Sequence, residues 1–236
     1  TENFNTGIGY KALNSIITNA SANTAVGAYA LEGLTTGDNN VGIGHKALNV
    51  VADHSMCTAI GFEAGMTSAG DRNTFIGFKC GKNVTTGINN VLVGSYVMHN
   101  AGQSSFDMSG HYNTVVGEYA MNQTNVQVLG NTSIGYQSGN TIQGGDYNTL
   151  VGHKADVGDA NQQNAVSIGN EAIAQNDKEV RIGHQGGVQF MSTEVTLDKS
   201  GTDTNDPAHE TPIFKMPAYS VIIDATAVHI PEIVID

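Results

Sequence analysis

The sequence predicts an all-β protein, a parallel β-solenoid built of about eleven coils of 14–23 residues. Three observations carry this. An Ile or Val followed by Gly recurs along most of the chain at intervals near 17 residues. The residue two before that Ile or Val is itself always Thr or Val. Gly is frequent (29 of 236) and only 14% of residues are charged, which opposes both long helices and a solvated, disordered chain.

The glycines of the repeat are Gly9, Gly27, Gly44, Gly61, Gly77, Gly94, Gly117, Gly135, Gly152, Gly169 and Gly183. Their separations are 18, 17, 17, 16, 17, 23, 18, 17, 17 and 14 residues, a clustering that chance does not produce. Each glycine is expected to end a strand, where the backbone turns sharply or closely approaches its neighbour. Directly before them stand Ile8, Val26, Ile43, Ile60, Ile76, Val93, Val116, Ile134, Val151, Ile168 and Ile182. Two residues earlier stand Thr6, Thr24, Val41, Thr58, Thr74, Val91, Thr114, Thr132, Thr149, Val166 and Val180. Positions two apart on a strand share a face, and β-branched side chains suit a pleated surface. The expectation is one short strand per coil, with both columns pointing inward as the repeat core.

Further columns support the stacking. Three residues after each of the first ten glycines the side chain is small or β-branched, as in Ala12, Ala30, Ala47, Ala64, Cys80 and Val97, marking a tight place. Four residues before, Asn recurs at 5, 23, 40, 73, 90, 113, 131 and 148, and predicts a hydrogen-bonded ladder. Strings such as Thr35-Thr36-Gly37-Asp38-Asn39-Asn40 read as turns between units. One coil is too thin to hold itself together. Stacking is required, and lateral packing of three chains into a side-by-side homotrimer is expected.

The repeat domain spans 1–187. Residues 188–212 read as a cap and a polar linker. Residues 213–236 turn apolar and strand-like, as the start of a further β domain. The separation of 23 residues reflects an insertion near Ala101–His111, expected as a loop on one face. Cys57 and Cys80 fall at different repeat positions and are expected to be free, buried and small.

The net charge of −12 would repel a phosphate backbone, so nucleic acid is not an expected partner. No apolar run is long enough for a membrane-spanning helix, and no membrane insertion is expected. Catalysis by paired carboxylates is not expected. Asp38, Asp71, Asp146 and Asp159 scatter over turns, while Glu63, Glu118 and Glu171 lie just after repeat glycines. No cofactor or metal site is assigned. His45, His153 and His184 each follow a repeat glycine, in a column shared with Tyr10, Phe62, Phe78 and Tyr136. That column reads as a packing ladder of rings. An ice-binding role would need the Thr column outside, and the inward reading argues against it.

The stretches Asn-Thr-Ala-Val-Gly at 23–27, Asn-Thr-Phe-Ile-Gly at 73–77 and Asn-Ala-Val-Ser-Ile-Gly at 164–169 resemble the head repeats of trimeric autotransporter adhesins. The longer 17-residue form is similar to repeats of bacteriophage tail fibres. The resemblance covers about residues 3–185. It implies a trimeric, left-handed parallel β-roll or β-helix on a virion or cell surface. The expected function is a structural, adhesive shaft of a phage tail fibre that contributes to attachment at a host-surface glycan or protein, beside other virion tail proteins. The alternatives are an adhesin head and, in another class, a polysaccharide depolymerase tailspike.

Overall fold

A computed structural model describes residues 3–15, 20–50, 53–99, 109–123, 127–184, 220–223 and 226–229. Most of the 101–111 insertion and the whole of the expected cap and linker at 188–212 lie outside these residues. The chain divides into two units, Thr1–Ser192 and Thr193–Asp236. In the second, Ser220–Ile223 and Thr226–His229 pair as antiparallel strands.

The first unit is a parallel β-solenoid. Its short strands are β1 (Thr6–Ile8), β2 (Thr24–Val26), β3 (Val41–Ile43), β4 (Thr58–Ile60), β5 (Thr74–Ile76), β6 (Val91–Val93), β7 (Thr114–Val116), β8 (Thr132–Ile134), β9 (Thr149–Val151), β10 (Asp156–Val157), β11 (Val166–Ile168), β12 (Ile173–Ala174) and β13 (Val180–Ile182). Eleven of them stack in chain order into one parallel sheet, while β10 and β12 form a separate pair. The register puts like on like. Thr74 pairs with Val91, Phe75 with Leu92 and Ile76 with Val93.

After each of the first eight repeat glycines the second and fourth residues are left-handed. Tyr29 and Leu31 have φ of 61° and 50°, as do their equivalents Lys46 and Leu48 at 57° and 49°. Left-handed backbone is unfavourable for residues with a Cβ. Here it aims the amides along the stack. Tyr29 N–H donates to Tyr10 O in the preceding coil, and Leu31 N–H to Ala47 O in the following one.

The interior corrects the inward reading of the β-branched columns. Ile43, Ile60, Ile76, Ile134, Ile168 and Ile182 are 36–44% exposed and Ile8 is 60% exposed. Val26, Val93, Val116 and Val151 are half-buried. The Thr/Val column beside them is also on the outside, half-buried or exposed. The side chain that points in is the middle one of each strand, as in Ala25, Ala59, Phe75, Leu92, Val115 and Leu150. The two columns do share a face, but the coil has room for one strand side chain per rung.

Volume is traded across that interior. Where the middle residue is small, the residue four after the preceding coil's glycine is large: Gly42 sits against Leu31. Where the middle residue is Phe75, its ring is flanked by Gly65 and Gly81, and a Cβ on either would lie 2.5 or 2.3 Å from it. Dense packing leaves no slack for two large groups at one level. The column three after the glycine is buried throughout Ala30, Ala47, Ala64, Cys80, Val97, Ala120, Ser138, Ala155 and Ala172. Cys57 and Cys80 are free and buried. At β13 the inward position is taken by Arg181, 7% exposed, whose Nε and Nη2 donate to Glu179 Oε1 at 3.2 and 3.1 Å.

The asparagine ladder forms. Asn40 N and Nδ2 both donate to Asn23 Oδ1, at 2.9 and 3.0 Å. The same pair of bonds links Asn90 to Asn73, Asn113 to Asn90, Asn131 to Asn113 and Asn148 to Asn131. Each Nδ2 also reaches a carbonyl of a second stacked column, which includes Gly37, His54, Gly87, Gly110 and Gly145. Cys57 interrupts the ladder. Its Sγ lies 3.2 Å from Gly70 O, but a thiol presents no carbonyl oxygen to the Asn73 amide.

Candidate functional site

The repeat glycines Gly9, Gly27, Gly44, Gly61, Gly77, Gly94, Gly117, Gly135, Gly152, Gly169 and Gly183 stand at φ between +105° and +142°. They stack so closely that a Cβ on Gly77 would lie 2.3 Å from Gly94 O. The chain turns the corner there, and the next two side chains emerge together on the outside.

These side chains build a column of rings. Tyr10, Tyr29, His45, Phe62, Phe78, Tyr96, Tyr119, Tyr136 and His153 follow one another with centroids 5.1–6.5 Å apart. The position directly after glycine supplies six of them. Where it holds Ala28, Ser95 or Glu118, the next residue supplies Tyr29, Tyr96 or Tyr119 instead. The two positions therefore share one surface. His45 and His153 are stacked members of the ladder, each tilted 13° from its neighbour's plane. His184 Nδ1 instead donates to Asn170 O at 3.2 Å and lies 3.7 Å from the Glu171 carboxylate. Lys11 lies over the rings of Tyr10 and Tyr29, and Lys79 over those of Phe78 and Tyr96, as cation–π contacts.

The turn acids have structural employment. Asp38 accepts Ser21 N–H at 2.7 Å, Asp71 accepts Ser55 N–H at 2.8 Å and Asp146 accepts Leu129 N–H at 2.8 Å. Asp159 caps Asn161 N–H within its own turn. Glu63 pairs with Lys82 at 2.7 Å. Among the described residues no group of three or more His, Cys, Asp or Glu is placed to hold a metal ion. None of their helices is long and apolar enough to cross a membrane.

A cleft of about 300 Å³ opens beside the end of the ladder, lined by Gln137, Asn140, Lys154, Asp156, Glu171 and Ile173. It arises where β10 and β12 change the outline of the coil. Asp156 replaces the apolar residue of its column and accepts from Thr141 N–H, Thr141 Oγ1 and Val157 N–H. Burial pushes its carboxyl up to about 6, against the pull of these donors. Asn140 Oδ1 is buried with no hydrogen-bond partner. Glu171 appeared scattered in the sequence, and Asp156 gave no signal there. Both line this cleft because residues 15 apart fall one coil apart.

His54 is a second unusual group. It occupies the otherwise Gly-rich carbonyl column, is fully buried, and neither ring nitrogen has a partner. Burial lowers its pKa to about 4, although Asp71 and Asp53 oppose this. The fold thus holds the neutral ring. This contribution to stability is complete above the ordinary value of about 6.5 and is lost as pH falls from there toward 4, by about 3 kcal/mol in total. Urea midpoints of wild type and His54→Gly, compared at pH 7.5 and pH 4.5, are expected to diverge, with the wild type losing more on acidification. Parallel losses would show that the fold does not lower the His54 pKa.

No known family, curated protein or solved structure matches this chain.

Proposed function

We propose that this chain is the shaft of an elongated surface fibre, of the bacteriophage tail-fibre kind, in which three copies lie side by side. The observation that carries the reading is the outward Ile/Val column from Ile8 to Ile182. With its Thr/Val neighbours it makes an apolar strip about 50 Å long, or roughly 500 Å², at the upper end of what a monomer leaves bare. Its side chains repeat once per rung and carry no charge, so a second copy in register matches it along its whole length. Closed rotational symmetry buries every strip. The resemblance of the repeats to trimeric fibres and adhesin heads supplies the number three. Such a shaft spaces and presents attachment loops at a host surface and performs no chemistry of its own.

Light scattering on the purified chain is expected to give a particle near three times the 24.7 kDa chain mass. Ile60→Lys with Ile76→Lys is expected to dissociate it. A folded wild-type monomer would sink the proposal. The Thr column, being outward, is open to ice, and such a monomer should then be assayed for thermal hysteresis.

A further inference from the structure

We propose that two columns of charge flanking the apolar strip pair between neighbouring copies, Asp38 with Lys46, Asp71 with Lys79 and Asp146 with Lys154, and so hold the copies parallel and at one level. The inference rests on the side-by-side reading above and adds the contacts that set its polarity and register.

The observation is a correlation between two places on opposite sides of the same strand. One stands three residues before the strand, the other three residues after it. Of the nine rungs from Gly27 to Gly169, three hold Asp at the first place and three hold Lys at the second. They are the same three rungs, those of β3, β5 and β9. In the other six neither residue occurs. Where the second place holds Glu, at Glu63 and Glu171, the first holds a neutral residue, Ser55 or Gln163.

Nothing inside one chain joins the two places. The outward Thr/Val and Ile/Val side chains lie between them. Among the described residues neither these three acids nor these three lysines form an ion pair. Glu63, between Lys46 and Lys79 in their column, is held by Lys82 at 2.7 Å instead. The rung of β1 departs from the rule in an informative way. It has Asn3 in place of the acid, and its Lys11 lies 3.6 Å from Glu32 of its own chain. The acids are held in place by one oxygen each, since Oδ1 of Asp38, Asp71 and Asp146 accepts a backbone N–H of the preceding coil. Lys79 is steadied over the rings of Phe78 and Tyr96.

A neighbouring copy supplies the missing partner. In a closed ring with its axis along the stack, one side of each strip meets the other side of the next, and every copy stands at the same level. Each flank residue therefore faces the neighbour's residue of its own rung, which is where the opposite charge is found. Turning one copy end over end would set acids on acids and lysines on lysines. A slip of one rung would break all three pairs and set Glu63 against Asp71 in one direction or against Asp38 in the other. It would also open the ring into a helix. The strip alone has no such preferences, because its rungs are alike. Apolar contact supplies affinity here, and a charged rim supplies orientation.

The test is zero-length carbodiimide coupling of the assembled protein, which joins only a carboxylate and an amine in contact. Covalent dimers and trimers are expected on a denaturing gel, and their digests should contain peptides joining Asp38 to Lys46, Asp71 to Lys79 and Asp146 to Lys154. The combined variant Lys46→Glu, Lys79→Glu, Lys154→Glu should keep the circular dichroism of wild type. It should raise the concentration at which the particle half-dissociates by about tenfold or more at low salt, an effect largely lost at about 0.5 M salt. A three-chain particle that gives no such links, or links only elsewhere, would overturn the inference and leave the fibre reading standing. So would a variant that assembles like wild type, the result expected if the three rungs only descend from one duplicated unit. A single-chain wild type would remove the fibre reading and this inference with it.

Discussion

Gly77→Ala is expected to cost on the order of 4 kcal/mol or more, enough to lower the unfolding midpoint severely or prevent folding. Two effects add. The backbone at Gly77 has φ +134°, which a residue with a Cβ rarely adopts. The new Cβ would also lie 2.3 Å from Gly94 O and 2.7 Å from its carbonyl carbon, both backbone atoms of the next coil. Neither can move without opening the rung. Gly7→Ala is the matched control. It lies inside a strand, has no such φ, and its Cβ would meet nothing closer than 3.4 Å. Its cost should stay below about 1 kcal/mol. Urea denaturation followed by circular dichroism compares the two. Equal midpoints for Gly77→Ala and wild type would mean that the glycine stack is not a close-approach column.

Asn90→Ala should be nearly as damaging, at about 3–5 kcal/mol. The side chain lies between two coils and serves both. Its loss leaves Asn113 N–H without its acceptor and Gly110 O without the Asn90 Nδ2 donor, while Asn113 Nδ2 keeps Val128 O and Asn73 Oδ1 keeps the N–H of residue 90. The orphaned groups lie in the buried asparagine column. Cys57→Asn tests the converse. It would complete the ladder between Asn40 and Asn73 and should stabilise by about 1 kcal/mol. Amide exchange at residue 113 in the first variant, and at Asn73 in the second, locates the effect. Faster exchange at 113 and slower exchange at 73 are expected. No change at either site would show that the column is not cooperative.

The stacking was legible because its requirements are uniform. Each Gly in the turn column meets another Gly, and all but Asn40, Asn73 and Asn148 in the ladder meet an Asn on both sides where a neighbouring coil exists, so both columns repeat with little variation. The core was not legible, for the opposite reason. Its positions are heterogeneous, with Gly42, Ala59, Phe75, Leu92 and Ser133 all standing in one inward column. The constant quantity is volume shared with the column four after the glycine. Reading those two columns together would have found it, since Phe75 falls between Gly65 and Gly81 and Gly42 falls between Leu31 and Leu48. The uniform Ile/Val column attracted the inward assignment because it is apolar and strictly repeated, but strict repetition is also what a face needs to match another regular face. The cleft was hidden because Asp156 is the one acid in a column otherwise of Leu, Gly, Met and Ile.

The Arg181–Glu179 pair puts buried charge at β13, where the strands before it turn small or apolar side chains inward. Duplication of the 17-residue unit therefore matches the rungs that precede it. Insertion of whole 17-residue modules there would lengthen the stack by about 4.8 Å apiece while leaving the charged rung at β13 and the cleft beside Lys154 unaltered. Length would then vary without repacking either.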